Sequence, residues 1–335
     1  MFKIQPVPPN DSSPEGARNP IVAFDPDFIA SIRIDGSTGE RRAATLPGRR
    51  TEKKQEQTAR LVKAVQCIDL TTLSSDDTPE RVKKLCAKAR QPLRPGIREA
   101  LGIGPITTAA VCVYHAFIAT ALEALSGTSI PVAAVSAGFP HGLSPLSARV
   151  LEVEESVAAG AREIDIVIDR SKALAGNWRG VYDEVRAFRE ACEACEACEA
   201  RGACEARGAC NKAHLKAIIG AGDLGTLTNV AKASVVCMMA GADFIKTSTG
   251  KEAVNATPEF AEVMAKMIAL WRKTTGYKVG FKAAGGIAKA EEAVLYQAVM
   301  QEELGEDWLA PRLFRIGASR LLGDIEQQLE VLAAG

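Results

Sequence analysis

Eight short apolar, β-branched segments alternate with longer helix-like ones along most of this chain, and that alternation restricts its fold more than any other feature. The segments are VQCIDLTTL (65–73), AAVCVYH (109–115), PVAAVSAGF (131–139), EIDIVID (163–169), HLKAIIGAG (214–222), DFIKTSTG (243–250), VGFKAAGGI (279–287) and LFRIGASR (313–320). Between them lie SARVLEVEESVAAG, VYDEVRAFREACEA, TNVAKASVVCMMAG and PEFAEVMAKMIALWRKTTG, several with apolar residues at three- and four-residue spacing. Strands that are nearly continuously apolar and always followed by a helix suit a closed parallel sheet. The pattern predicts an α/β fold, a TIM (β/α)8 barrel formed by one domain over residues 56–335. Residues 1–55, rich in Pro, Ser, Gly and charge, are expected to form a mobile or partly ordered N-terminal extension.

The barrel fixes where chemistry belongs, because such folds build their sites from the C-terminal ends of the strands and the loops beyond. Lys246 and Lys282 fall in the sixth and seventh predicted strands, which are barrel neighbours. A desolvated lysine close to a second cation favours its neutral amine, which can attack a carbonyl and form a Schiff base. A single lysine could equally snorkel to solvent from a strand end. Two on adjacent strands with Asp165 nearby point to catalysis. Cys112 ends its strand near the rim, where it is either a reactive thiol or, the weightier reading, a small core residue. Asp69 either positions a lysine or caps the following turn.

Several motifs then carry a resemblance. FIKTSTGK, GFK followed by AGG, EIDIVI, ITTAAVCVY, IDLTTL and FRIGAS, in one order from about residue 58 to about residue 328, resemble the deoxyribose-phosphate aldolase family, in particular its eukaryotic-type form with an N-terminal extension. The resemblance implies a class I aldolase without metal or cofactor, which reversibly cleaves 2-deoxy-D-ribose 5-phosphate to acetaldehyde and D-glyceraldehyde 3-phosphate. It implies Lys246 as the Schiff-base lysine, Lys282 as the second lysine that lowers its pKa, and Asp165 as a partner in proton transfer. Asp69, Cys112 and Thr249 are expected around the substrate. For the phosphate, the loops after the sixth, seventh and eighth strands offer Gly250, Lys251, Gly285, Gly286, Gly317 and Ser319, although glycines also serve simple tight turns.

The chain departs from the family pattern at several points. Ala283 stands where proline usually follows GFK, Ala288 where the AGG loop continues to arginine, and His115 where proline usually follows CVY. Arg320 replaces a small hydroxyl residue after GAS, so a cation lost at 288 is offset by one gained at 320. The terminal LAAG lacks the tyrosine of some bacterial members, and with it any proton path through such a residue.

Balanced charge, 41 basic against 41 acidic residues, gives no reason to expect nucleic acid or an anionic membrane as partner. The longest apolar run, AAVCVYHAFIATALEAL, is broken by His115, Thr120 and Glu123, and the N-terminus lacks a signal-peptide core. A small-molecule partner in the cytoplasm is expected, and a homo-oligomer is left open. Two rival signals remain. GAGDLG (220–225) satisfies a dinucleotide-binding pattern, but the acidic residue at a suitable distance, Asp243, precedes its strand. In the repeat EACEACEACEARGACEARGACN (190–211), Cys192, Cys195 and Cys198 are spaced as in metal or redox motifs. A period of three nevertheless drifts around a helix of 3.6 residues per turn, which favours a tolerated expansion on the face opposite the site. An NAD-linked oxidoreductase and a non-catalytic sugar-phosphate sensor are the alternatives, the first hanging on GAGDLG and the second on dispensing with the lysines.

Overall fold

The computed structural model describes residues 18–34, 54–193 and 212–334. Eight parallel strands close into a barrel in sequence order: β1 (Ile68–Thr71), β2 (Ala110–Tyr114), β3 (Val132–Ser136), β4 (Glu163–Val167), β5 (His214–Ile218), β6 (Phe244–Lys246), β7 (Gly280–Ala284) and β8 (Phe314–Ala318). All eight coincide with the predicted apolar segments, and the fold is the TIM barrel that the alternation predicts.

The helices start where local chemistry tells them to. Thr78, Thr226 and Thr257 are extended residues whose hydroxyls accept from the third backbone N–H onward, and Pro79 and Pro258 occupy first helical positions where no N–H is needed. The helix Trp178–Glu193 buries Val181, Val185, Phe188 and Cys192 at helical spacing against the barrel. The rest of the cysteine-rich repeat, residues 194–211, lies outside the described residues.

The main apolar core lies between the strands and the helix ring, while the barrel interior holds a small apolar cluster of Ala110, Cys112, Ala133 and Val135. Charge fills much of the rest, with Asp69, Glu163, Asp165, Lys216, Lys246, Lys282 and Arg315 all buried. Branched apolar side chains are the usual filling of such an interior. The strands read as apolar because their outward faces are.

Of the N-terminal extension, residues 18–34 pack along the barrel, from Asn19 beside Asp243 at the start of β6 to Ile34, whose N–H donates to the Thr228 hydroxyl at 3.2 Å in the helix after β5. Asn19 donates to the carbonyls of Met238 (2.7 Å) and Ala242 (2.9 Å) and accepts from the Trp271 indole at 2.9 Å. Arg18 pairs with Asp243 at 3.0 Å and donates to the Ala213 carbonyl. A short helix, Pro26–Ser31, capped by Asp25, then buries Phe28 and Ile29.

Candidate active site

The register of the strands gathers the charged residues. Asp165 pairs with Lys216 between β4 and β5, Lys246 with Lys282 between β6 and β7, and Lys282 with Arg315 between β7 and β8. In a parallel barrel such partners share a face, so one charged residue per strand suffices to build a cluster.

Asp165 is its hub. One carboxylate oxygen accepts from Lys216 at 2.9 Å, and the other accepts from Lys246 at 2.9 Å and Lys282 at 2.7 Å. Lys282 also donates to Asp69 at 2.5 Å, and Lys216 to Glu163 at 2.5 Å with Asp69 3.4 Å away. Arg315 closes the ring, donating to Asp69 at 2.6 Å and to Glu163 at 2.8 Å.

The count is uneven: four cations, Lys216, Lys246, Lys282 and Arg315, share three carboxylates, Asp69, Glu163 and Asp165. A buried charge without a counter-charge is expensive, so the cation with the weakest hold is the one to lose its proton. Lys246 has one carboxylate partner where each of the others has at least two. Burial, helped by the neighbouring Lys282 charge, lowers the Lys246 pKa against the pull of Asp165. Burial pulls Lys282 down too, but Asp165 and Asp69 more than offset it, and its pKa is raised. Of the two lysines singled out in the sequence, then, one leans toward the free amine and the other stays an ammonium. Burial alone would raise Asp165, yet Lys216, Lys246 and Lys282 hold its carboxyl well below the usual range.

Cys112 lies buried beside these groups, and burial pushes its thiol up, away from the reactive thiolate. Three members of the cluster escaped the sequence reading: Glu163, Lys216 and Arg315. Each is a charge inside an otherwise apolar strand, the signal that exposed Lys246 and Lys282, and Glu163 also has the two-residue spacing from Asp165 that puts both on one face.

At the rim, β6 is shorter than predicted. After Lys246 the Thr247 hydroxyl adds to the backbone contacts with β7, donating to the Ala284 carbonyl at 3.2 Å and accepting from the Ala284 N–H at 3.0 Å. The following turn folds on its own carboxylate: the N–H groups of Thr249, Gly250 and Lys251 and the Thr249 hydroxyl all donate to Glu252. Gly250 makes this turn possible at φ +89°. Lys251 and Ser319 are exposed, and a side chain on Gly286 would meet only open space. Gly285 sits against the Asn255 amide. At Gly317, in β8, a Cβ would come within 3.1 Å of the Lys282 Cε, so glycine leaves room for the lysine stem.

Among the departures from the family pattern, Ala283 is buried in β7 and Ala288 gives its N–H to Glu292 at 2.8 Å. The adjacent cation, Lys289, is paired with Asp324 at 2.9 Å. His115 faces the Ser156 hydroxyl through Nδ1 at 3.0 Å, and Arg320 is exposed. In GAGDLG, Gly222 packs so closely on the Val254 carbonyl that a Cβ would lie 2.0 Å from it. Asp243 is engaged by Arg18 and Arg189, at the end of the barrel away from this loop.

A parallel barrel with a buried, under-paired lysine amine beside a charged relay defines an aldolase of the lysine-dependent, class I type. The model of the DeoC/LacD family aldolases matches residues 63–322, and the chain belongs to that family. The human deoxyribose-phosphate aldolase is 49% identical over 317 residues, which span 93% of this chain and 94% of the human one. Among solved structures, one from Toxoplasma gondii ME49 superposes with a TM-score of 0.66 at 20% identity, over 84% of this chain and 97% of the other. The deoxyribose phosphate aldolase of Aeropyrum pernix gives 0.59 at 21%, over 84% and 99%. These two carry the likeness of fold. Among the described residues no helix is long and apolar enough to cross a membrane.

Proposed function

We propose that the chain reversibly cleaves 2-deoxy-D-ribose 5-phosphate to acetaldehyde and D-glyceraldehyde 3-phosphate through an imine on Lys246. The family and the near-full-length similarity to the human enzyme support the substrate. The observation that carries the mechanism is the uneven charge count, which leaves Lys246 as the amine most ready to be neutral.

Lys246 attacks the C1 aldehyde of the open-chain sugar, and the carbinolamine loses water to give a protonated imine. The Lys282 ammonium is the proton donor at hand for that departing oxygen. The imine then draws the electrons of the C2–C3 bond as the C3 hydroxyl gives up its proton, and D-glyceraldehyde 3-phosphate leaves. Asp165 joins both lysines through one oxygen, so it can pass that proton to and from Lys282. Its low pKa suits it to relaying a proton and not to keeping one. The enamine takes a proton at C2, and water releases acetaldehyde and the free lysine. Asp69 holds Lys282 from the far side, and Cys112 and Thr249 border the substrate. Lys251, Gly286 and Ser319 are read as phosphate contacts, with Gly250 and Gly285 giving the loops their close approach and Gly317, in β8, leaving room for the Lys282 stem below them.

Incubation with acetaldehyde and borohydride, followed by peptide mass spectrometry, tests this. A reduced adduct on Lys246, absent from Lys246→Ala, together with consumption of 2-deoxyribose 5-phosphate, is expected. Folded wild-type protein that forms no adduct would overturn the reading.

A further inference from the structure

Glu252 has no part in the chemistry above, yet its carboxylate is among the most heavily hydrogen-bonded in the molecule. It takes the N–H groups of Thr249 (2.9 and 3.0 Å), Gly250 (3.0 Å) and Lys251 (3.2 Å) and the Thr249 hydroxyl (2.7 Å), and its side chain is 2% exposed. Successive N–H groups converging through a positive-φ glycine form a nest, a general anion receptor. Here the receptor already holds an anion, and that anion is part of the chain.

The carboxylate is also moored. Arg170, just after β4, approaches it at 3.5 Å and Asp223, in the loop after β5, at 3.3 Å. The Arg170 stem crosses Gly220, where a Cβ would lie 2.4 Å from its Cδ. An ionic chain thus runs Asp223–Arg170–Glu252 through the loops after β5, β4 and β6. Beside Glu252 the Lys251 side chain projects into solvent, and among the described residues it has no salt-bridge partner within 4.0 Å. Once the three N–H groups are spent on Glu252, the turn can offer an incoming phosphate only that ammonium group.

We infer that Glu252 is a positioning residue for the phosphate end of the substrate: by occupying the 249–251 nest and anchoring to Arg170, it fixes the turn that aims Lys251. This rests on the sugar-phosphate reading above. Glu252 acts through Lys251 and does not itself touch the phosphate, since two anions would repel. Without the carboxylate, the three N–H groups lose their acceptor and the turn loses its orientation.

The test is a double-mutant cycle of Glu252→Ala and Lys251→Ala, with Glu252→Gln as a milder second variant that keeps one carbonyl acceptor in the nest. Two readouts are used: the ratio of kcat/KM for 2-deoxyribose 5-phosphate over 2-deoxyribose, and the dissociation constant for inorganic phosphate. Each single alanine variant is expected to lower the ratio about tenfold, chiefly through KM, and to weaken phosphate binding in step, with Glu252→Gln in between. The double variant is expected to be no worse than Lys251→Ala, because both changes remove one interaction. Losses that multiply in the double variant, or that fall equally on both sugars, would overturn the inference and make Glu252 a general loop stabiliser. Should the wild type fail to cleave the phosphorylated sugar, the functional reading falls on its own. The phosphate dissociation constants then still decide whether Glu252 aims Lys251, and unchanged binding in Glu252→Ala and Glu252→Gln would overturn it.

Discussion

Replacing Lys282 with methionine tests the charge count most directly. Methionine fills a similar volume, and both carboxylates that Lys282 touches keep other cations: Asp69 retains Arg315 at 2.6 Å, and Asp165 retains Lys216 and Lys246 at 2.9 Å. The variant should therefore fold. Its cluster holds three cations and three carboxylates, so Lys246 is no longer surplus. In the wild type the two ammonium groups meet on one Asp165 oxygen, at 2.9 and 2.7 Å. Two unit charges about 4 Å apart repel by about 4 kcal/mol at an effective permittivity of about 20. If about half of that survives relaxation, ~2 kcal/mol, removing Lys282 leaves about thirtyfold less neutral amine at a given pH. The sign follows from the chemistry: losing a neighbouring cation raises the Lys246 pKa, so the acid limb of the rate profile moves to higher pH. The rate of borohydride-trapped imine formation with acetaldehyde, followed against pH, reads this directly. Partial recovery at alkaline pH is expected. A uniform loss with an unmoved limb would refute the reasoning and leave Lys282 as a proton carrier only.

Further outcomes follow from other parts of the molecule. Asp165, Glu163 and Asp243 all have pKa values below the ordinary carboxylate range because their cations outweigh burial. Their contribution to stability is complete above the unfolded carboxylate pKa of about 4 and is lost as pH falls through the lower folded values. Circular dichroism at constant ionic strength should show acid unfolding below about pH 4, and stability that stays flat down to about pH 2 would count against the pairing. Asn19→Ala strands the buried Trp271 N–H and the Met238 and Ala242 carbonyls, so a loss of ~1–3 kcal/mol in urea unfolding is expected, with imine trapping on Lys246 retained. Arg320→Ser removes the exposed cation that offsets Ala288, and the dissociation constant for inorganic phosphate should rise; an unchanged value contradicts the compensation.

The strands and two lysines were legible because both signals are local. Alternation of apolar segments with helical ones needs no knowledge of contacts, and Lys246 after FI and Lys282 after VGF stand out against their apolar neighbours. Asp165 followed as a carboxylate inside the apolar segment EIDIV. Glu163, Lys216 and Arg315 were missed although they obey the same rule: Lys216 is the third residue of β5 just as Lys282 is the third of β7, so position along the strand does not separate them. Their role depends on register, which brings Arg315 beside Lys282 and Lys216 beside Asp165. Glu252 was illegible for another reason. Most of its partners are backbone N–H groups, which every residue but proline carries, so nothing in the letters TSTGKE marks the turn that closes on it.

The N-terminal segment has a consequence in time as well as in space. Asn19 precedes its hydrogen-bond partners Met238, Ala242 and Trp271 by 219, 223 and 252 positions. It cannot dock until the helices Leu227–Met239 and Pro258–Thr275 that carry or flank these residues have been made, which makes these contacts among the longest in sequence separation. Contacts formed after the rate-limiting step slow unfolding and leave the folding rate almost untouched. Asn19 and Arg18 thus act as a latch that ties the segment before the barrel to its fifth and sixth units.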